Sequence, residues 1–249
     1  MSRQLRSELL KQRTTRSSLA LLLWMIGLIL VVVLLHAFAL NAASLGKASN
    51  QPKVYGWGTS IGALFAALLG AISVTGEFRC GTIRPTLLAT PNRARMIAAK
   101  VIASALAGAL VGLLAEALVC AIASAGLAIR GINITLSTGD FVQMLLGGAA
   151  AAALWGAIGT GVGAIVKNQV GAVVALCVWL LLIESILIGN VPSAAKFSPG
   201  ASAGALAGMI QNASGSSLLA PGLGALLLAG YGIAVAAAGL MATERRDIN

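Results

Sequence analysis

Six long apolar runs dominate the chain, and the polar residues are confined to short segments between them. The runs lie at about residues 19–40, 56–75, 97–126, 141–166, 170–189 and 218–242. Each supplies the roughly 20 mostly apolar residues that a helix needs to cross a bilayer. The first, Leu19 to Leu40, exceeds the hydrophobic region of about 7–15 residues typical of a cleaved signal, and it is read as a span. The third is longer than a crossing requires but too short for two spans and a turn, so it predicts a single tilted or projecting helix. Residues 1–18 form a basic segment in which Leu5, Leu9 and Gln12 share one helical face, which predicts a short helix on the membrane surface. Residues 76–96 form a connector, and 190–217 a longer Ala-, Gly- and Ser-rich stretch. In that stretch Ala201 to Gln211 is apolar enough to rest at the interface but too short to span.

Composition removes the soluble alternatives. Of 249 residues, 58% are hydrophobic and 10% charged, against about 25% charged in a soluble domain. Disorder is incompatible with that apolar content. No run of basic and aromatic residues marks a nucleic-acid surface. The fold class expected is an all-α integral membrane protein forming one domain over 1–249.

Charge then orients it. The net charge is +10. With six spans both termini share a side, and that side carries 13 Lys and Arg residues against four on the other. Cytoplasmic loops collect Lys and Arg, which places both termini in the cytoplasm of a plasma membrane. The Ala- and Gly-rich composition suggests a bacterial source.

Glycines and alanines four apart form stripes: Gly58, Gly62, Ala66 and Gly70; Gly108 and Gly112; Gly159 and Gly163. Small residues at this spacing let helix backbones approach closely, either within one bundle or at a seam between subunits.

Candidate chemistry is sparse. Cys80, Cys120 and Cys177 are odd in number and widely spaced, and His36 is the single histidine, so neither a disulfide framework nor a metal cluster is expected. No Walker phosphate-binding pattern occurs, so the chain is not expected to hydrolyse nucleotide or to be an enzyme by itself. Gly200-Ala201-Ser202-Ala203-Gly204 fits the G-x-S-x-G pattern, which works only on a strand–turn–helix elbow. Ser202 with His36 is therefore a distant intramembrane-hydrolase alternative. Glu116 and Glu184 lie inside spans, where a carboxylate is expensive and marks a candidate functional group. Together they allow a third reading, a stand-alone proton-coupled carrier.

The connector after the second span is the most informative segment. It reads Glu77-Phe78-Arg79-Cys80-Gly81-Thr82-Ile83-Arg84-Pro85-Thr86-Leu87-Leu88, and Gly81 and Pro91 bracket about two turns. A short helix with an apolar face and basic flanks suits docking into a partner's groove, or packing on its own bundle.

Glu77-Phe78-Arg79, Gly81-Thr82, Leu87-Leu88, Pro91, Arg93 and Lys100 resemble the first cytoplasmic loop of the permease subunits of type-2 ABC exporters. Lys167-Asn168-Gln169-Val170-Gly171-Ala172 is similar to that family's tight cytoplasmic turn, Glu184 after Trp179 to its acidic position in span five, and Glu244-Arg245-Arg246-Asp247-Ile248 to its tail. Cys80 departs from the polar residue expected there. The resemblance implies six spans, an N-terminal amphipathic surface helix and a cytoplasmic coupling helix made by Glu77, Phe78, Arg79, Gly81, Thr82, Arg84, Leu87 and Leu88. It implies a second permease copy or homologue, and a separate nucleotide-binding subunit that holds the ATP and magnesium. No cofactor is expected on this chain. An apolar bundle suggests an amphipathic or hydrophobic substrate.

Overall fold

A computed structural model describes residues 2–47, 49–82, 92–211 and 217–244. These residues are helical, with no extended strand among them. Thr15 alone separates α1 (Ser2–Thr14) from α2 (Arg16–Ala39), and the short α3 (Ala42–Leu45) and α4 (Gln51–Tyr55) lead into α5 (Trp57–Arg79). Then come α6 (Arg93–Ile129) and α7 (Thr138–Val166). α8 (Gln169–Cys177), a π-helical segment (Val178–Ile183) and α9 (Glu184–Asn190) run on as one rod. α10 (Pro192–Ala195), α11 (Pro199–Leu206) and α12 (Pro221–Glu244) complete the chain.

Among the described residues, six helical stretches are long and apolar enough to cross a membrane: Arg16–Ala39, Gln51–Arg79, Ala94–Ile129, Thr138–Val166, Gln169–Asn190 and Pro221–Thr243. Their ends differ from the six apolar runs by a few residues. The third is one helix of 37 residues, about 55 Å long at 1.5 Å per residue. It outruns the ~30 Å hydrocarbon core, as its length predicts.

Side-chain size sorts the spans into centre and periphery. α5 and α7 carry small-residue stripes and sit at the centre, α6 lays its Gly108 and Gly112 against α7, and α2, the α8–α9 rod and α12 expose Leu23, Trp24, Leu35, Leu181, Leu226 and Ile233. A helix that is apolar all round is at home in lipid on one side and packed helices on the other. The stripes face each other within the chain. A Cβ added at Gly163 would lie 2.7 Å from Ala71 O, and one at Gly108 would lie 2.6 Å from Ala152 O. Gly70 and Gly159 meet the backbones of Gly156 and Ala67 more closely still. At the α5–α7 crossing the absence of side chains sets how near the backbones lie, and dispersion between them supplies the attraction that water supplies elsewhere.

At the end of the bundle away from the N-terminus, polar bonds tie the connections together. The buried Gln51 donates to Leu45 O (3.2 Å) and Asn133 O (2.8 Å) and accepts from Thr135 N and Oγ1 (both 2.9 Å). Arg130 donates to the carbonyls of Ala37 and Leu40, which satisfies the C-terminal end of α2. A capping box starts α7: Asp140 N donates to Ser137 Oγ (3.2 Å), and Ser137 N donates to Asp140 Oδ2 (2.8 Å).

One segment differs from expectation. The stretch after the fifth span does not rest on an interface as one Ala201–Gln211 helix. It forms α11, whose Pro199 and Ala201–Ala205 are buried in the bundle end. Alanine, serine and glycine leave no bulk to hold it away, and Leu206 O sits where any side chain at Gly147 would have to go. α1 turns the face of Leu5, Leu9 and Gln12 toward the bundle together with the buried Glu8, while Leu10 is exposed. The reason is the charge that waits for it.

Candidate functional site

Four charged side chains from three helices close a cluster at the N-terminal end of the bundle. Lys100, on the third turn of α6, donates to Glu8 Oε2 (2.7 Å) of α1 and to Glu77 Oε1 (2.8 Å) in the last turn of α5. Lys11 donates to Glu8 Oε1 (2.7 Å) and to the same Glu77 Oε1 (2.8 Å). Two carboxylates are thus bridged by two ammonium groups. The Lys100 side chain is fully buried and those of Glu8 and Glu77 nearly so, while Lys11 is 44% exposed. One turn on, Gln12 Nε2 donates to Ser104 Oγ at 2.9 Å. Buried charge persists only when paired in this manner, so the cluster dictates where α1 sits.

The cluster also sets a pH window. Burial pushes the Glu8 carboxyl up, but Lys100 and Lys11 outweigh it and hold it below its ordinary 4.5. Burial pulls the Lys11 ammonium down, but Glu77 and Glu8 outweigh it and raise it above 10.5. A depressed carboxyl stabilises the folded form above its unfolded pKa and loses that contribution as pH falls through the folded value. A raised amine stabilises below its unfolded pKa and loses it as pH rises through the folded value. Hydrogen-exchange protection of α1 is therefore expected to be flat between about pH 5 and 10 and to fall on either side. Protection declining steadily through neutrality would show that other groups hold α1.

The remaining connector residues take the following places. Phe78 is half-buried, and its ring centroid lies 5.2 Å from Lys167 Nζ, a cation–π distance. Arg79 ends α5 and is exposed. Gly81 adopts φ 68°, and Thr82 N donates to Glu77 O (3.0 Å) and Gly81 N to Phe78 O (3.3 Å), the paired bonds of a Schellman stop. Arg84, Leu87 and Leu88 lie outside the described residues. Lys167 turns left-handed (φ 58°) to end α7, and Asn168 caps α8 by accepting from Gly171 N at 3.0 Å. That accounts locally for Lys167-Asn168-Gln169-Val170-Gly171.

Sequence reading overlooked Glu8 and counted Lys11 only as flanking charge. A signal was available: Glu8 is the one acidic residue before Glu77.

The two carboxyls inside the spans sit in different settings. Glu116 is fully buried between α5, α6 and α7, where Thr59 Oγ1 donates to its Oε1 and Oε2 has no partner among the described residues. Gly58 and Gly148 leave just the room it fills. Glu184 follows the π-helical segment. Its Oε1 accepts from Trp179 Nε1 (3.1 Å) and from Gly200 N (2.7 Å) at the start of α11. It lines a cavity of about 820 Å³ between α4, α5, α7, the α8–α9 rod and α11. No hydrogen bond joins Glu116 to Glu184, although Thr59 reaches both Glu116 and the cavity wall.

Ser202 lies buried inside α11 with its hydroxyl unpartnered among the described residues. His36 Nδ1 is engaged with Val32 O (2.9 Å), and its ring is tilted against Trp57 at 5.0 Å. The motif thus lies within a helix capped by Ser198, not on a strand–turn–helix elbow, and no base is bonded to the serine.

No protein-family model matches this chain, and no curated protein matches it at a significant level.

Proposed function

We propose that the chain is the membrane-spanning permease subunit of an ATP-driven exporter resembling the type-2 ABC family. On this reading it lies in a bacterial plasma membrane with both termini in the cytoplasm. It pairs with a second permease copy or homologue, and it docks a separate nucleotide-binding subunit that carries the ATP and magnesium. The observation that supports it is convergence. Residues far apart in sequence that carry the family resemblance meet at one end of the bundle: Glu77 with Lys100, and Phe78 with Lys167. The basic N-terminal helix joins them through Glu8 and Lys11. A push on the connector after α5 would reach α1 and α6 through the buried charges. Two-state coupling of this kind needs a partner that favours one arrangement over the other.

Arg79 separates docking from folding, because it is exposed and sits beside the cluster without belonging to it. Tagged protein is expected to co-purify with a subunit whose sequence carries a Walker motif. Arg79→Ala is expected to weaken that association about tenfold or more while leaving the melting temperature within a degree or so, since surface substitutions usually stay within about 0.5 kcal/mol. Substrate transport by liposomes holding this chain alone would overturn the reading. So would undiminished, fully coupled ATPase activity in the variant.

A further inference from the structure

The cavity beside Glu184 has the size, wall and charge of a binding site. Its volume of about 820 Å³ falls within the range of roughly 300–1,000 Å³ that holds drug-sized molecules. The wall is mostly apolar, with Leu64, Met144, Leu180 and Met209, and Trp57 adds an aromatic ring. Three lining residues carry charge. Lys53 and Asp140 are exposed, and the Asp140 carboxylate is already occupied by Ser137. Glu184 is 6% exposed and forms no ion pair among the described residues.

Its placement is built, not incidental. A π-helical segment stacks residues five apart, and Trp179 and Glu184 are five apart, so the carboxylate reaches back one turn and its Oε1 accepts from the indole N–H. Gly200 N supplies a second donor to the same oxygen. Oε2 accepts no hydrogen bond among the described residues, and Gly200 is the one residue type that leaves it space, because a Cβ there would fall on the carboxylate. Two donors thus fix one oxygen, and the carboxylate retains capacity for a further partner. A carboxylate inside a span pairs with another charge or lines a path, and among the described residues this one has no cationic mate.

We propose that this cavity binds an amphiphilic organic cation, with the apolar body against the wall and the cationic centre against Glu184. This deepens the export reading by naming a substrate class, and it rests on that reading for its purpose but not for its measurement.

Tetraphenylphosphonium and tetraphenylborate have the same shape and opposite charge, which makes them suitable probes. Full-length protein in lipid nanodiscs is titrated with each, with protein-free nanodiscs as the background. The cation is expected to bind saturably and the anion not to. Glu184→Gln should weaken cation binding at least tenfold, and Glu184→Asp should restore part of it. Ser60 lines the cavity from α5, so Ser60→Phe places a ring in the ligand's space while leaving Glu184 unchanged, and it should weaken binding even if the Glu184 variants do not fold. Equal binding of both ions, wild-type affinity in Glu184→Gln, or undiminished binding in Ser60→Phe would overturn the proposal. The two readings fail separately. Loss of ion binding leaves co-purification with an ATPase untouched, and absence of an ATPase partner leaves ion binding untouched.

Discussion

Lys100→Met is expected to destabilise the protein by about 3–5 kcal/mol, the usual consequence of removing one partner from a buried ion pair. Methionine keeps the length of the side chain and removes its charge. Glu8 and Glu77 would then share only the half-exposed Lys11, and each would retain a buried oxygen with no cation near it. The measurement is thermal unfolding in detergent, with limited proteolysis of α1 as a local probe. α1 should become cleavable at temperatures where the spans remain intact. The double variant Lys100→Met with Glu8→Gln should recover much of the loss, because the stranded carboxylate is gone. Equal losses in the single and double variants would mean that the ion pairs do not hold α1. Under the export reading, the single variant should also lose coupling between ATP hydrolysis and transport.

The second large effect lies in the membrane. Gly159→Leu should prevent correct assembly of the bundle. A single Cβ at this position already meets the carbonyl of Ala67. Overpacking a close-packed core commonly costs about 1–3 kcal/mol and occasionally more, and here the obstacle is backbone that cannot turn aside. The control is Gly230→Leu on α12, where a Cβ would find nothing within 4 Å and the position is exposed. That variant should express and melt like the wild type. Size-exclusion profiles and melting temperatures of the two variants make the comparison. An intact Gly159→Leu protein would refute tight α5–α7 packing, and a defective Gly230→Leu protein would point to a subunit seam along α12.

Several elements could be read directly from residue order. Twenty apolar residues in a row have one stable disposition in a bilayer, a helix whose backbone bonds are all internal. Gly81, Asn168 and Ser137 are local stop and start signals that act within a turn of themselves. The small-residue stripes announced close packing but not the partner, because spacing shows which face is small and not what will meet it. Glu116 and Glu184 stood out through rarity alone. That one would be wedged against Thr59 and the other would line a cavity depends on helices far away in sequence.

What the chain settled by itself is therefore the part governed by local physics: a helical membrane protein with six apolar spans, placed to within a few residues. What only the packed molecule decided is which charges share a site. Glu8, Lys11, Glu77 and Lys100 become one cluster, Trp179 and Gly200 become donors to one carboxylate, and α11 enters the bundle to wall a cavity. Helix propensity and hydropathy act over a few residues. A buried charge selects its partner by distance in space, and that distance exists only once the helices have packed.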